Sequence, residues 1–183
     1  YRESMLESVL PVLSRPAAIG DAAALAFVVD KSGSMGASAA GVDRFRLAQR
    51  AVVETAASLA DRDYASLIVF DVATRELVPL LGAARFKQAV AAPWTAQPRG
   101  GTRIAPAMET AIAQLEAATT ARRILVLVTD GFVDEVPVEH LRARLSRARI
   151  ELIALAVGPD ANAAALAGLA DPGQATILSV AEA

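Results

Sequence analysis

The sequence predicts an α/β fold in which a mostly parallel, six-stranded sheet is covered by helices on both faces. Short aliphatic runs alternate along the chain with longer segments whose apolar residues recur every three or four positions. Strands that alternate with helices are typical of parallel sheets joined by right-handed crossovers, the doubly wound or Rossmann-like arrangement. Because 54% of the residues are hydrophobic and only 4% are aromatic, we expect a core of alanine, valine, leucine and isoleucine.

Six apolar runs predict the strands, and one of these strands is expected to run antiparallel. In chain order the runs are Leu25–Asp30, Ser66–Phe70, Arg75–Leu81, Ile124–Thr129, Ile150–Val157 and the weaker Thr176–Val180. Too few residues separate the second run from the third for a parallel crossover. The third run should therefore pair antiparallel with the second, at an edge of the sheet.

The helices are predicted from apolar stripes and from the residues at their ends. The first stripe runs from Phe45 to Leu59, and Asp43 is placed to cap its start. A later stripe, from Ile104 to Leu115, has Pro106 in its first turn, where a missing N–H costs little. The remaining helical segments are Phe86–Ala91, Val138–Ala148 and Ala161–Ala170.

The length of 183 residues suits a single domain, which we assign to residues 24–183. Residues 1–23 lack a clear period, and the two prolines of Leu10–Pro16 predict an extended arm that lies on the domain. The chain starts with Tyr1 and has no signal-peptide pattern, so we expect it to be a fragment of a longer protein.

Composition argues against several classes of function. A net charge of −2 is unlike the strongly basic balance of an electrostatic nucleic-acid binder. The absence of cysteine removes disulfides, thiol catalysis and thiolate metal ligands. No apolar run approaches the roughly 20 residues that a spanning helix needs, so we expect no membrane insertion by this fragment. Composition does not assign a cellular compartment.

Three loops are predicted to bring oxygen-bearing side chains to one edge of the sheet. Asp30 ends the first strand, and Ser32 and Ser34 follow it in the loop DKSGSMG. Asp130 ends the fourth strand in LVTDG, and Thr102 precedes a helix in RGGTRIAP. Because the carboxyl ends of parallel strands form the ligand-binding edge of such folds, we expect these side chains to converge.

Carboxylate and hydroxyl oxygens, without nitrogen or sulfur ligands, suit a hard divalent cation. We expect magnesium, with manganese or calcium as alternatives. Two carboxylates only just offset a divalent charge, and hydroxyl groups offset none of it. If the carboxylates act partly through water, the ion stays electron-poor and should favour a further carboxylate from outside. The positive end of the helix that follows Thr102 acts in the same direction. In the metal-free state, removal of Asp130 is expected to relieve repulsion between the carboxylates.

These residues resemble the metal-ion-dependent adhesion site of the von Willebrand factor A domain family. The family pattern is D-x-S-x-S, then a threonine, then an aspartate in a T-D-G context, and the resemblance extends from about Ala24 to Val180. The resemblance implies a divalent ion, usually magnesium. The two serines and the threonine would contact the ion, and the aspartates would often act through water. It also implies a protein partner that supplies a glutamate or aspartate carboxylate.

A narrower resemblance concerns the parent protein. The arm followed by the domain is similar to the von Willebrand factor A domain of large bacterial membrane proteins that also carry a glutamine-amidotransferase-like region. This resemblance implies that the fragment belongs to a membrane protein, and it leaves the side of the membrane open.

Each candidate residue also has a structural alternative. Thr102 could be a helix N-cap, and Asp130 could begin an ordinary Asp-Gly turn. Asp71, at the end of the second strand, is expected to form an Asx-turn, with a supporting role in the site as the alternative. Arg99 and Arg103 are expected to be solvated loop residues. Two further expectations are that Met35 packs beneath its loop and that Trp94 anchors a loop.

The sequence favours a metal-dependent protein-binding module over an enzyme. One alternative is an intramolecular regulatory or assembly domain of a larger membrane protein. A less favoured alternative is a magnesium-dependent, phosphatase-like hydrolase, because Ser32 stands where haloacid-dehalogenase-type enzymes need a second aspartate. His140 is expected at the surface, and we find no nucleophile–base pair for hydrolysis.

Overall fold

The computed structural model describes residues 21–39, 42–130, 137–158, 163–171 and 175–180. Its strands are β1 (Ala23–Asp30), β2 (Ser38–Ala39), β3 (Val42–Asp43), β4 (Tyr64–Phe70), β5 (Thr74–Gly82), β6 (Arg122–Thr129), β7 (Ile150–Val157) and β8 (Ala175–Val180). The six longer strands form one sheet in the order β5-β4-β1-β6-β7-β8, and only β5 is antiparallel to its neighbour. The short strands β2 and β3 form a separate antiparallel pair.

Five α-helices of the described ranges connect the strands: α1 (Arg44–Ala57), α2 (Ala83–Ala91), α3 (Ile104–Ala117), α4 (Val138–Arg147) and α5 (Ala163–Ala167), and a short 3-10 helix spans Gly33–Gly36. The start of α1 is capped by Asp43, whose Oδ1 accepts a hydrogen bond from the Arg46 N–H at 2.6 Å. Pro106 lies in the first turn of α3. Both features were predicted from the sequence. The aspartate cap accepts a hydrogen bond from an otherwise unpaired N–H, and proline has no N–H to leave unpaired.

The core consists of two apolar layers, one on each face of the sheet. Alternate residues of β1 belong to different layers, because successive strand side chains point to opposite faces. Ala26 and Val28 pack in the layer that contains α3, α4 and α5. Phe27 packs in the layer that contains α1 and α2, where its ring stacks on Phe86 with centroids 5.7 Å apart. Helices therefore cover both faces, which confirms the predicted fold class.

The predicted strands and the antiparallel edge strand are confirmed, with small differences at element ends. Helix α2 begins at Ala83, earlier than the predicted Phe86, and α5 spans Ala163–Ala167 within the predicted Ala161–Ala170. The proposed arm lies outside the described residues, apart from residues 21–23. Within the described ranges, no helix has both the length and the hydropathy needed to cross a membrane.

Candidate metal site at the carboxyl edge of the sheet

Backbone hydrogen bonds fasten the loop after β1 to the loop before α3. The N–H of Gly33 donates to the carbonyl of Gly100 at 2.9 Å, and the N–H of Arg99 donates to the carbonyl of Lys31 at 2.8 Å. Gly100 has a φ of +75°, a conformation that residues with a Cβ rarely adopt. These contacts hold the segment that carries the two serines against the segment that carries Thr102.

Asp30 is completely buried, and each of its carboxylate oxygens accepts a hydrogen bond from a neutral donor. Oδ1 accepts from the N–H of Ser32 at 2.7 Å, and Oδ2 accepts from the hydroxyl of Thr129 at 2.7 Å. Burial raises the pKa of Asp30, although the hydrogen bonds from Thr129 and Ser32 act to lower it. The negative charge of Asp130 further raises the pKa of Asp30, so the two carboxylates are close enough to repel each other.

Hydroxyl groups follow Asp30 in the same loop and occur in the neighbouring loop before α3. The Oγ atoms of Ser32 and Ser34 are 3.0 Å apart, and Ser32 and Thr102 are both buried. Thr102 is not the N-cap of α3, because that position is held by Arg103 and no side chain caps the helix. Met35 is fully buried, as predicted, and it packs beneath the loop.

Asp130 differs from Asp30 in how its charge is satisfied. Its side chain is 1% exposed, and neither carboxylate oxygen forms a hydrogen bond with the part of the chain that the structure describes. Its ion-pair partner is Arg44, whose Nη1 lies 3.6 Å from Oδ2. Burial of a carboxylate is costly where no donor compensates it, so among the described residues Asp130 is a group that a cation would stabilise.

Arg44, the first residue of α1, has a role that was not predicted from the sequence. Its guanidinium crosses to the end of β7, where a Cβ on Gly158 would lie only 2.7 Å from the Arg44 Cζ. Gly158 also has a φ of +96°. A basic residue in the first turn of a helix opposes the helix dipole. That unusual placement, together with a glycine directly after a strand, is the signal that could have identified the contact.

A second buried ion pair lies on the other side of Asp30. Lys31 Nζ contacts Asp71 Oδ2, and Asp71 Oδ1 accepts a hydrogen bond from the N–H of Ala73 at 2.8 Å. The second contact is the predicted Asx-turn. Desolvation acts to raise the pKa of Asp71, but the hydrogen bonds from Lys31 and Ala73 and the charges of Lys31 and Arg99 lower it overall. The Asp71 carbonyl also accepts from the N–H of Arg103 at 2.8 Å, so Asp71 supports the loops around the site.

The remaining candidates behave as structural or surface residues. Arg99 and Arg103 are exposed, as expected for solvated loop arginines. His140 is exposed on α4, with its Nε2 3.5 Å from a carboxylate oxygen of Glu109. Trp94 packs edge-to-face against Phe45 with ring centroids 5.9 Å apart, which confirms its role as a loop anchor.

The donors at this edge fit a hard divalent cation. Over the described residues, no three histidine, cysteine or acidic side chains come together to hold a metal, so an ion would need the hydroxyl groups as ligands. Serine and threonine hydroxyls beside carboxylates are oxygen donors of the kind that magnesium prefers. The buried Asp130 oxygens accept no hydrogen bond from the described part of the chain, and such an ion would use these acceptors.

The fold and the polar edge define a doubly wound α/β domain of the kind that binds ligands beyond its strand ends. The chain belongs to the von Willebrand factor type A domain family, which residues 25–132 match. This family often binds metal and mediates protein interactions. No curated protein matches the sequence.

Several solved structures share the fold at low sequence identity. BatB from Bacteroides thetaiotaomicron has a TM-score of 0.74 and 19% identity, over 88% of this chain and 91% of that chain. An aerotolerance-related membrane protein from Bacteroides fragilis has a TM-score of 0.73 and 19% identity, over 86% and 91%. Proximal thread matrix protein 1 from the mussel byssus has a TM-score of 0.71 and 19% identity, over 87% and 41%. In that mussel structure, zinc occupies the metal-ion-dependent adhesion site motif.

Proposed function

We propose that this domain binds a divalent cation, magnesium in the first instance, and uses it to hold a glutamate or aspartate side chain of a protein partner. The proposed ligands are Asp30, Ser32, Ser34, Thr102 and Asp130. The observation that carries the proposal is the buried Asp130 carboxylate, which accepts no hydrogen bond from the described residues and lies at the same edge as the paired serine hydroxyls and Thr102.

The residues of the site have different tasks in this proposal. Asp30 positions the loop, because its oxygens accept hydrogen bonds from the Ser32 N–H and the Thr129 hydroxyl. Ser32, Ser34 and Thr102 offer neutral oxygens, which leave the charge of a cation uncompensated. When bound, the ion supplies the positive charge that attracts a carboxylate. The uncapped N-terminus of α3 favours the same anionic group.

We propose a binding role and not a catalytic one. A phosphatase-like hydrolase would need a general acid at the position of Ser32, and a serine nucleophile would need a base. His140 faces Glu109 at the surface of α4 and offers no such base to the serines. That the parent is a bacterial membrane protein with a glutamine-amidotransferase-like region stays a prediction. So does the alternative that the partner is another domain of the same protein.

The proposal can be tested with a labelled peptide rich in glutamate and a matched peptide in which glutamine replaces each glutamate. Fluorescence anisotropy should report binding of the glutamate peptide in Mg²⁺ and no binding in EDTA. Thr102→Val should abolish this binding, whereas Thr119→Val, a change at an exposed threonine after α3, should leave it intact. Equal binding in Mg²⁺ and EDTA, or equal binding of the two peptides, would refute the proposal.

A further inference from the structure

The candidate metal site contains a positively charged side chain of the protein itself, that of Arg44, next to Asp130. Only 10% of its side chain is exposed, and its guanidinium lies between Asp130 and the backbone of Gly158. The distance of 3.6 Å from Nη1 to the Asp130 carboxylate, without a hydrogen bond between them, gives a charge contact that a competing cation can replace. Gly158 makes room for the guanidinium, since any Cβ at this position would collide with it.

Among the described residues, the buried charges at this edge nearly cancel before any ion binds. These buried acidic residues are Asp30, Asp71 and Asp130, and the buried basic residues are Lys31 and Arg44. The balance is one negative charge when all three carboxylates are ionised, and a divalent ion would change it to one positive charge. Without Arg44, the same ion would leave the edge close to neutral. In this count of the described charges, Arg44 therefore shifts the loaded site toward a positive charge that attracts an anion.

We propose that Arg44 is a specificity-determining residue with two opposite effects. It stabilises Asp130 in the metal-free domain and repels an entering cation, so it weakens metal binding. After the ion has bound, its charge makes the site prefer an anionic ligand, so it strengthens binding of an acidic partner. This inference rests on the proposed function, and it goes further because it assigns the selectivity for acidic groups to a residue outside the ligand set.

The two effects can be separated by removing the charge. Isothermal titration of Mg²⁺ into chelator-treated Arg44→Gln should give an affinity about threefold to tenfold higher than in the wild type. Anisotropy with the glutamate peptide at saturating Mg²⁺ should give an affinity lower by a similar factor. A residue that merely supports the fold would weaken both steps when it is replaced, so the opposite signs identify the proposed role.

Matched variants control for the position and for folding. Arg46→Gln removes a charge two residues along the same helix, where the side chain is 74% exposed, and it should leave both affinities within about twofold. Arg44→Lys keeps the charge and should resemble the wild type. If Arg44→Gln does not fold, Arg44→Met removes the charge with a side chain that packs more readily.

Unchanged or weaker Mg²⁺ binding in the folded charge-removing variant would overturn the role of Arg44. If the wild type binds Mg²⁺ and Thr102→Val does not, that failure would concern Arg44 alone and would leave the proposed function standing. If the wild type itself binds no Mg²⁺, both the proposed function and this inference are wrong.

Discussion

Asp71 and Asp130 follow the two strands that flank β1, and each faces a buried cation, but their surroundings differ. Asp71 has hydrogen bonds from Lys31 and from the N–H of Ala73. Asp130 has Arg44 at 3.6 Å and no hydrogen bond among the described residues. The Lys31–Asp71 pair is a structural contact whose carboxylate is hydrogen-bonded, whereas the Arg44–Asp130 pair leaves carboxylate oxygens that could accept from a ligand. Burial and charge pairing alone therefore do not mark a binding residue, and unsatisfied acceptors distinguish the two aspartates.

The largest effect is expected when the Asp71 pair is broken. Lys31→Met leaves the buried carboxylate without its cation, and the free energy of unfolding should fall by about 2–3 kcal/mol. Urea denaturation measures this change. Lys87→Met is the control, because Lys87 donates to a backbone carbonyl, that of Leu59, at 2.7 Å. It should cost only about 1 kcal/mol. An equal decrease in the free energy of unfolding in the two variants would show that the Lys31–Asp71 ion pair contributes no more to stability than one hydrogen bond to a backbone carbonyl.

An intermediate effect is expected where Arg44 crosses Gly158. Gly158→Ala should lower the free energy of unfolding by about 1–3 kcal/mol, because φ is +96° and the new Cβ would collide with the guanidinium. Gly82→Ala is the matched control, since nothing lies within 4 Å of a Cβ built at that position. The control should stay within about 1 kcal/mol of the wild type. A Gly158→Ala protein as stable as the wild type would contradict the described position of Arg44.

The smallest effects concern pH in the metal-free domain, and they should have opposite signs at two aspartates. The folded-state pKa of Asp71 is lowered, so its contribution to stability is present above the unfolded value of about 3.9 and is lost as the pH falls through the folded pKa. Asp71→Asn should therefore be less stable than the wild type at pH 7. The difference should shrink as the pH approaches the lowered pKa, and denaturation curves across pH will measure it.

Asp30 has a raised folded-state pKa, so its favourable contribution is present below about pH 3.9 and is lost as the pH rises through the folded pKa. In EDTA, Asp30→Asn should therefore be more stable than the wild type at pH 7 and equal to it in acid. A loss of stability at pH 7 without metal would contradict this assignment. Magnesium should stabilise the wild type and not the variant.

The strands, the helices and the placement of the site loops could be predicted because they depend on local patterns. Apolar periodicity locates β1 and α1, and the topology rule for parallel strands brings Asp30 and Asp130 to one edge. The contact of Arg44 was not predicted, because it depends on a long side chain that reaches residues far away in the sequence, and only its place in the first turn of α1 and the glycine after β7 point to it. This contact also changes the expectation for the metal-free domain. Removal of Asp130 would relieve the repulsion between the two carboxylates but would also take that carboxylate away from Arg44. We therefore expect removal of the charge of Asp30, and not of Asp130, to stabilise the metal-free domain.

Electron paramagnetic resonance with Mn²⁺ as the probe can show whether the oxygens at this edge hold a divalent ion. Bound Mn²⁺ loses the sharp signal of the free ion, so the stoichiometry can be counted without a partner. We expect about one bound ion per chain for the wild type and for Thr119→Val, and none for Thr102→Val. An undiminished free-ion signal with the wild type, or equal binding by Thr102→Val, would contradict this expectation.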